Sequence, residues 1–527
     1  MFHGQLIIYK MKNTKYILVL SALIGFTSCN EIEDVNRDEA AEVLPELTSG
    51  SADFTTYVSL GASFTAGYTD GALFMAGQNN SFPNILANQF AGIGGGDFTQ
   101  PITNDNFGGL AAGGTRIAEP RLVFGGSTPV PLESVVGPVT VSTDIVLNNP
   151  TGPFSNLGVP GAKSFHLLSD SYGSLAGVGS YANPYFVRMA SSPSATMLGD
   201  AMAQNPTFFT LSEMGANDVL SFAVSGGSGV DQQGNLDPST YGSNDITDPN
   251  VFANVLSGLV STLTSGGAKG VVTNVPYITD LPHFTTVPYN PIPLDAATAG
   301  FLNSVAAYGI YNGGLQQAYA ALQATGLFTV EELEKRTINF TEGQNAVVII
   351  DEDLTDLGAI NPAFAEIPKY RQATADDLLV LSSSSFIGTE AIPGNAQSIN
   401  GVAVPLADQW VLTPEEQLAI KEATDAYNVT IKAVSDANDN IALVDLNAIL
   451  SELATTGILY GDYTLNASLV TGGAVSLDGI HLTARGYSYM AYKFLEAIDT
   501  SFGANFIDSG NVPNPGDYPT NYAPTLQ

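Results

Sequence analysis

The chain has 527 residues, of which 44% are hydrophobic and 13% charged, and its 17 basic and 51 acidic side chains give a formal net charge of -34. So large a deficit of Lys and Arg excludes a nucleic-acid partner, because the phosphate backbone would be repelled rather than neutralised. The apolar content is too high for a disordered chain, so the composition predicts a folded protein with a substantial core.

The N-terminal segment has the pattern of a secretion signal. A basic stretch from Met11 precedes an apolar run at 16–26 and the small residues before Cys29. This run is too short for a transmembrane anchor, the alternative interpretation, since a bilayer needs roughly 20 apolar residues. The pattern resembles a bacterial lipoprotein signal. This implies that 1–28 is a leader, with Met11 as the true start of translation, and that Cys29 is lipidated.

Acyl chains on Cys29 would hold the protein on a membrane, with the acidic segment 29–52 as a solvated tether. We therefore expect an outer-membrane lipoprotein of a Gram-negative-type bacterium. The protein could lie on the periplasmic face or on the cell-surface face of that membrane, and both alternatives stay open. Cys29 is the single cysteine of the chain. Disulfides, thiolate zinc sites and iron–sulfur clusters are thereby excluded.

Beyond the tether, predicted strands alternate with predicted helices, which indicates one α/β domain over 53–503. The predicted strands are 55–60, 207–214, 270–275 and 441–446. The predicted helices are 82–90, 251–263, a segment that begins at Pro414, and 484–498.

Three intervals interrupt this alternation, near 91–150, 225–250 and 280–410. They are rich in Gly, Pro, Ser and Asn and have few long periodic runs, so we expect them to be insertions into the domain. The tail 504–527 contains four prolines and is expected to have no packed role.

A glycine-rich turn that contains Ser63 follows the first predicted strand (G-A-S-F-T-A-G, 61–67). A strand-to-helix turn projects a serine hydroxyl above the edge of the sheet, where free N–H groups and the helix dipole favour developing negative charge. Ser63 is therefore a candidate nucleophile. Taken alone, the motif is more typical of an ordinary turn with a capping serine.

A second candidate motif, Asp478-Gly-Ile-His481, lies near the other end of the chain. A carboxylate three residues before a histidine can hold the imidazole in one tautomer and leave Nε2 free as a base. Alternatively, Asp478 satisfies turn amides and His481 begins the last helix. Of the four histidines, His3 falls in the leader, and His166 and His283 lack a carboxylate at this spacing, so we interpret both as structural.

Two further segments offer hydrogen-bond donors for an oxyanion. The glycines of 156–161 (N-L-G-V-P-G) let a backbone N–H approach a substrate with no Cβ in the way. In 215–218 (G-A-N-D), the Asn217 amide is expected at the same sheet edge as Ser63. An ordinary turn and a helix cap are the respective alternatives.

In this order, the four blocks resemble those of the SGNH (GDSL) hydrolase family, named for its Ser, Gly, Asn and His residues. The resemblance spans about 55–500, with the four blocks as its basis. It implies a three-layer α/β/α sandwich on a parallel, flavodoxin-like sheet. It also implies ester hydrolysis by a serine nucleophile with no metal and no cofactor.

The same resemblance implies individual roles. Ser63 would be the nucleophile, His481 the general base and acid, and Asp478 the residue that orients His481. The N–H groups of Ser63 and Gly161 and the side chain of Asn217 would form the oxyanion hole.

The first block departs from the family pattern at two positions. Ala62 stands where the family usually has Asp, and Phe64 where Leu is common. Neither residue belongs to the triad. Loss of the Asp is expected to loosen the turn that aims Ser63 and so to affect efficiency more than reaction type.

The apolar surplus, the membrane tether and a lid or wall formed by the insertions favour a lipase or acylhydrolase that cleaves lipid-like esters. A carbohydrate O-acetyl esterase is the alternative within the same chemistry. A non-catalytic binding lipoprotein is another, for which Ala62 is the hint. A metal-dependent phosphoesterase would need ligands that the acidic run 351–353 does not complete, and we interpret that run as solvated loop charge.

Overall fold

A parallel sheet of five strands forms the centre of the molecule in the computed structural model, which describes residues 44–526. The strands are β1 (Tyr57–Gly61), β2 (Asn156–Gly158), β3 (Phe208–Leu211), β4 (Lys269–Thr273) and β5 (Ile441–Val444). Their order is β2-β1-β3-β4-β5. In a parallel sheet of this order, successive strands are added first on one side of β1 and then on the other, and ligands bind at this switch point, outside the carboxyl ends of β1 and β3.

Helices cover both faces of the sheet and give three layers. The helices that frame the sheet and the site are α1 (Ser63–Ala66), α2 (Phe82–Ala91), α3 (Ala216–Val224), α4 (Pro249–Thr264), α5 (Pro414–Asp436), α6 (Leu446–Thr455) and α7 (Ala484–Phe502). Successive side chains of a strand point to opposite faces. Phe208 accordingly packs with α2 and α7, and Phe209 packs with α3, α4 and α5.

The predicted insertions contain short elements. Their paired strands, with one further pair after α6, are Leu110–Ala112 with Thr115–Ala118, Leu122–Phe124 with Pro129–Pro131, Ile292–Leu294 with Gly343–Asn345, Val348–Ile350 with Tyr370–Gln372, Leu378–Leu379 with Val411–Leu412, and Ile458–Tyr460 with Tyr463–Leu465. The remaining helices are Met75–Asn79, Glu133–Val136, Pro184–Val187, Met197–Met202, Pro282–Thr285, Ala296–Leu302, Tyr308–Leu322, Val330–Arg336 and Leu357–Ile360. The region 280–412 has hydrophobic clusters of its own.

The predicted α/β class is confirmed, and every predicted strand and helix is present with shifted ends. The helix predicted from Pro414 begins where expected, because Thr413 and Glu416 form a reciprocal capping box. The strand predicted to reach 446 ends at Val444, since Asp445 caps α6 by accepting the Ala448 N–H. Neither β2 nor the helix Tyr308–Leu322 was predicted.

The expectation that the C-terminal tail has no packed role is wrong. Phe506 is fully buried and Tyr522 is 8% exposed. The buried guanidinium of Arg121 donates to the carbonyl oxygens of Tyr522 and Ala523, at 3.5 and 2.7 Å. Because carbonyl groups need donors when buried, the tail completes the hydrogen bonding of the first insertion.

Within residues 44–526, no helix is both long and apolar enough to cross a bilayer. From Leu47 onward the chain forms one compact unit. The leader, Cys29 and most of the acidic tether lie outside the described residues, so the lipoprotein signal stays a prediction.

Candidate active site

Ser63 is the first residue of α1. Only Ala62 separates it from Gly61, the last residue of β1. Its side chain lies at the sheet edge where ligands bind in this topology, and the residue is 7% exposed. The neighbouring strand β2 approaches α1 so closely that a Cβ on Gly158 would lie 2.3 Å from the Ala66 nitrogen. Gly158 therefore permits the close packing that places Ser63 beside the loop after β2.

The turn that carries Ser63 is held by the buried carboxylate of Glu213, at the end of β3. Its Oε2 accepts hydrogen bonds from the Ala62 N–H at 3.0 Å and from the Thr65 N–H and Oγ1 at 3.0 and 2.8 Å. Its Oε1 accepts the Phe64 N–H at 2.5 Å. Burial raises the pKa of Glu213, and these four donors oppose that shift.

Glu213 corrects the expectation that the turn is loosened by the absence of Asp at Ala62. The carboxylate is present but comes from the segment that follows the adjacent strand β3, in a residue whose backbone is left-handed (φ 64°). Sequence analysis missed Glu213. The missing acid at position 62 was the signal that a carboxylate had to come from elsewhere.

Two backbone N–H groups at this edge have no acceptor within residues 44–526. Ala62, Phe64 and Thr65 all donate to Glu213, whereas the N–H of Ser63 does not. The N–H of Gly161 also has no protein acceptor, and this residue is exposed with φ 80°. Both groups are therefore available to a ligand oxygen, as the oxyanion prediction requires.

Asn217 lies in the first turn of α3, 7% exposed, and lines the same cavity as Ser63. Its Nδ2 donates to the Ala162 carbonyl oxygen at 2.9 Å. One amide hydrogen is thus used to fix the loop that contains Gly161, and the second is available. No hydrogen bond to the start of α3 is formed by Asn217, so it is not the cap of that helix.

Asp478 and His481 form the predicted pair. Asp478 Oδ2 lies 2.8 Å from His481 Nδ1 and accepts the Gly71 N–H at 2.8 Å. Its Oδ1 accepts from Ser476 Oγ and from the N–H groups of Ile480 and His481, at 3.0, 2.9 and 2.9 Å. Burial acts to raise the pKa of Asp478, but His481 and the N–H donors outweigh it and hold that pKa well below its ordinary value.

The alternative interpretation holds only in part: Asp478 does satisfy turn amides, but His481 does not begin the last helix, because α7 begins at Ala484 with Thr483 as its cap. The same carboxylate satisfies turn amides and accepts the imidazole N–H, which assigns the proton to Nδ1 and leaves Nε2 unprotonated in the neutral ring. The His481 ring lies against Tyr68 and Phe64, with centroids 4.6 and 5.8 Å away. Because Phe64 directly follows Ser63, the imidazole is brought to the turn that carries Ser63.

The hydrogen bond between the candidate nucleophile and the candidate base is absent. Ser63 Oγ and His481 Nε2 form no hydrogen bond within residues 44–526, so the predicted relay is complete only from Asp478 to His481. In enzymes without substrate this contact is often long and shortens on binding.

His166 is structural, as predicted. Its Nδ1 accepts the Lys163 N–H at 3.0 Å, and its ring stacks on Tyr172 with centroids 4.2 Å apart. Burial, with Lys163 nearby, lowers the pKa of His166 to about 3. The ring is therefore neutral and committed to packing.

His283 packs against the turn that carries the Asp478–His481 pair. Its N–H donates to the Gly479 carbonyl oxygen at 3.0 Å, and Nδ1 lies 3.3 Å from the Asp478 carbonyl oxygen. A Cβ on Gly479, where φ is 76°, would lie 2.8 Å from the His283 nitrogen. Only glycine therefore allows this contact.

A mainly apolar cavity opens at Ser63 and Asn217. It is bounded in large part by α6 and α7. Its lining includes Leu446, Ile449, Leu450, Leu453, Leu465, Val475, Ile480, Leu482 and Met490. Three of these, Leu453, Leu465 and Val475, belong to a hydrophobic cluster separate from those on the central sheet.

The chain matches no protein-family model, no curated protein and no solved structure at significant similarity. The fold and the site define an α/β protein with a parallel sheet and a serine, an imidazole and a carboxylate at its carboxyl edge. Within residues 44–526, one group of three metal-ligating side chains occurs, and it shares no residue with this site.

Proposed function

We propose that the chain is a serine ester hydrolase of the lipase/acylhydrolase type, similar to the SGNH (GDSL) hydrolases. The observation that supports this most strongly is the meeting of three remote segments at one sheet edge. Ser63 and Gly161 present unpaired N–H groups there, and the Asp478–His481 pair lies against the nucleophile turn. An ordinary turn with a capping serine needs neither feature.

In the proposed reaction, His481 Nε2 takes the proton of Ser63 Oγ as this oxygen attacks the ester carbonyl carbon. The oxyanion is bound by the N–H groups of Ser63 and Gly161 and by the free amide hydrogen of Asn217. His481 then gives its proton to the departing alcohol. A water molecule, deprotonated by His481, attacks the acyl-enzyme and releases the acid. Asp478 stays ionised throughout and stabilises the imidazolium.

The cavity beside Ser63 favours an acyl group longer than acetyl. Its walls are mainly apolar, and each methylene buried there contributes about 0.8 kcal/mol of binding free energy. An acetyl group would leave the part lined by Leu453 and Leu465 unused. Lipidation at Cys29, outside the described residues, would keep the enzyme next to lipid esters.

Labelling with a fluorophosphonate probe tests the nucleophile. We expect one adduct, on Ser63, in the wild-type chain and none in Ser63→Ala. Ser212→Ala is a matched control, because this buried serine lies at the same edge and its Oγ has no hydrogen-bond partner to lose. A wild-type chain that is folded but not labelled would contradict the proposal and support a binding lipoprotein.

Hydrolysis of nitrophenyl acetate, butyrate, octanoate and palmitate tests the acyl group. We expect kcat/KM to rise beyond acetate, and Leu453→Phe to lower octanoate hydrolysis about tenfold relative to acetate by filling the cavity. Leu459→Phe adds the same volume at a residue that is 76% exposed and should change neither rate. A preference for acetate, with cleavage of acetylated oligosaccharides, would instead support the O-acetyl esterase.

A further inference from the structure

A cluster of three carboxylates lies where the insertion 280–412 meets the α/β domain. Its members are Glu352, Asp408 and Glu416, and one ligand atom from each lies within 4.8 Å of the others. They come from three segments: the loop after the strand Val348–Ile350, the short 3-10 helix Asp408–Trp410 and the first turn of α5. The insertion and α5 therefore place negative charge at one point.

The turn after α3 closes one side of this cluster. A Cβ on Gly226 would lie 2.0 Å from the Asp408 carbonyl oxygen, and a Cβ on Gly227 would lie 1.8 Å from Glu416 Oε1. Both glycines have positive φ, at 65° and 82°. The backbone of this turn thus packs directly on the Asp408 backbone and on the Glu416 carboxylate, and α3 is the helix that carries Asn217.

The buried carboxylate of Glu416 gives the strongest evidence that the cluster binds a positively charged ligand. The residue is 7% exposed, and its Oε2 accepts the N–H and the hydroxyl of Thr413 at 2.6 and 2.9 Å. Its Oε1 is buried and has no hydrogen-bond partner in the described part of the chain. A buried carboxylate oxygen without a donor is costly, so nearly all such atoms in proteins are paired or bind a metal.

Nearby cations do not fill this need. Lys335 Nζ lies 3.4 Å from Asp351 and 3.5 Å from Glu415, and Arg371 is paired with Asp351 and Asp377. No basic side chain among residues 44–526 forms a salt bridge with a member of the cluster. The three carboxylates therefore have no salt-bridge partner within residues 44–526, and the nearby Lys369 Nζ instead donates to the Glu352 carbonyl oxygen at 2.6 Å.

These contacts correct the interpretation of 351–353 as solvated loop charge. Asp351 is fully buried because Arg371 of the adjacent strand pairs with it, whereas Glu352 and Asp353 are exposed. Burial, with Glu352 nearby, raises the pKa of Asp408 to about 7. Burial also raises the pKa of Glu416 to about 8, against the donors of Thr413 and with a contribution from Glu352.

We propose that Glu352, Asp408 and Glu416 bind a calcium ion. Carboxylate oxygens are hard ligands, which suit Ca²⁺ and Mg²⁺ rather than zinc or copper. Ca²⁺–oxygen distances of about 2.3 to 2.6 Å place opposite ligands roughly 5 Å apart, so ligand atoms within 4.8 Å of one another fit its coordination sphere. Mg²⁺ holds its water more tightly and uses one or two carboxylates, so three favour calcium.

The proposed ion has a structural role. Glu352 and Asp408 belong to the insertion, Glu416 to α5, and the wall to the turn after α3. Calcium would thus hold the insertion against two helices of the domain and remove the repulsion among three acids. Since none of these residues lines the ester cavity, the ion is not expected to take part in ester hydrolysis.

The test uses the purified chain after treatment with a chelator. Isothermal titration with CaCl2 is expected to give one site per chain with a Kd below about 1 mM, and weaker or no binding of MgCl2. The thermal midpoint should rise with calcium concentration over the same range, because an ion that binds only the folded state stabilises it. Neither readout depends on ester hydrolysis, so the outcome is independent of the proposed function.

Glu352→Gln is the discriminating variant, since its exposed side chain can change without disturbing the core. It should weaken calcium binding at least about tenfold and abolish most of the calcium-dependent rise in Tm. Glu422→Gln removes the same charge from an exposed position further along α5 and should leave both unchanged.

Two results would overturn the proposal. One is unchanged calcium affinity in Glu352→Gln, which would locate the ion elsewhere. The other is a chain that binds no calcium up to about 10 mM, a concentration beyond the weakest physiological sites. In that case the cluster is neutralised by protons shared between the carboxyl groups.

Discussion

Two groups of carboxylates, one at the candidate active site and one at the insertion, differ in how their charge is stabilised. At the candidate active site, Asp478 accepts five hydrogen bonds and Glu213 accepts four, all from residues of the same sheet edge. At the insertion, Glu416 leaves one buried oxygen without a donor. The chain thus supplies its own donors where it positions a serine and a histidine, and relies on an external ion or proton where it attaches the insertion.

The largest effect should come from Asp478→Asn. The asparagine amide would donate to His481 Nδ1 and so favour the wrong tautomer, which lowers kcat by about 10,000-fold in related triads. Rates of nitrophenyl ester hydrolysis, with Tm measured beside them, test this. Retention of more than a tenth of the activity would mean that the donors around Asp478 serve the turn alone.

Asn217→Ala should have the next largest effect. It removes an oxyanion donor and the bond that fixes the Gly161 loop through Ala162, so we expect turnover to fall by about 100 to 1,000-fold, or about 2.7 to 4 kcal/mol. Since the amide acts in the transition state, kcat should fall more than KM changes. Turnover like that of the wild type would remove Asn217 from the site.

Glu213→Gln tests whether the donors at the nucleophile turn need a full carboxylate. A glutamine has one accepting oxygen, so N–H groups of the turn lose their acceptor, and the free energy of unfolding should fall by about 1.5 to 3 kcal/mol. Urea unfolding measures this loss, and kcat should decrease with it. Ala62→Asp is the matched rescue: it should destabilise the wild type, by adding a second buried acid, and restore part of the loss in Glu213→Gln.

Glu416→Gln should give the smallest effect, and its sign depends on pH. The folded pKa of Glu416, about 8, lies above that of the unfolded chain, so the calcium-free protein loses stability as pH rises from about 4.5 to about 8. The variant cannot ionise and should show a weaker loss over this window. Equal slopes of Tm against pH in both proteins, with Glu352 and Asp408 unchanged, would mean that Glu416 carries no unpaired charge.

Much of the fold follows from local sequence patterns. The strands β1, β3, β4 and β5 of the five-stranded sheet are apolar runs between turn residues. The capping box at Thr413 marks the start of α5. The strand β2 escapes prediction because three residues give no detectable period. It is an edge strand, and it is recognised as a strand only through its pairing with β1.

The site was predictable where its geometry is local. Asp478 reaches His481 across three residues, so the motif itself contains the contact. Glu213 contacts the Ser63 turn only because β1 and β3 are neighbours in the sheet, and no sequence spacing encodes that. Asp351 was misinterpreted for the same reason, since its partner Arg371 comes from an adjacent strand.

The hydrogen bond from the Gly71 N–H to Asp478 joins opposite ends of the chain, as does the packing of α2 on α7. Because the chain is synthesised from its N terminus, these contacts cannot form until the segment 478–481 has left the ribosome. A prematurely terminated product that lacks this segment would have no Asp478–His481 pair and, under the proposed function, is expected to be inert towards esters.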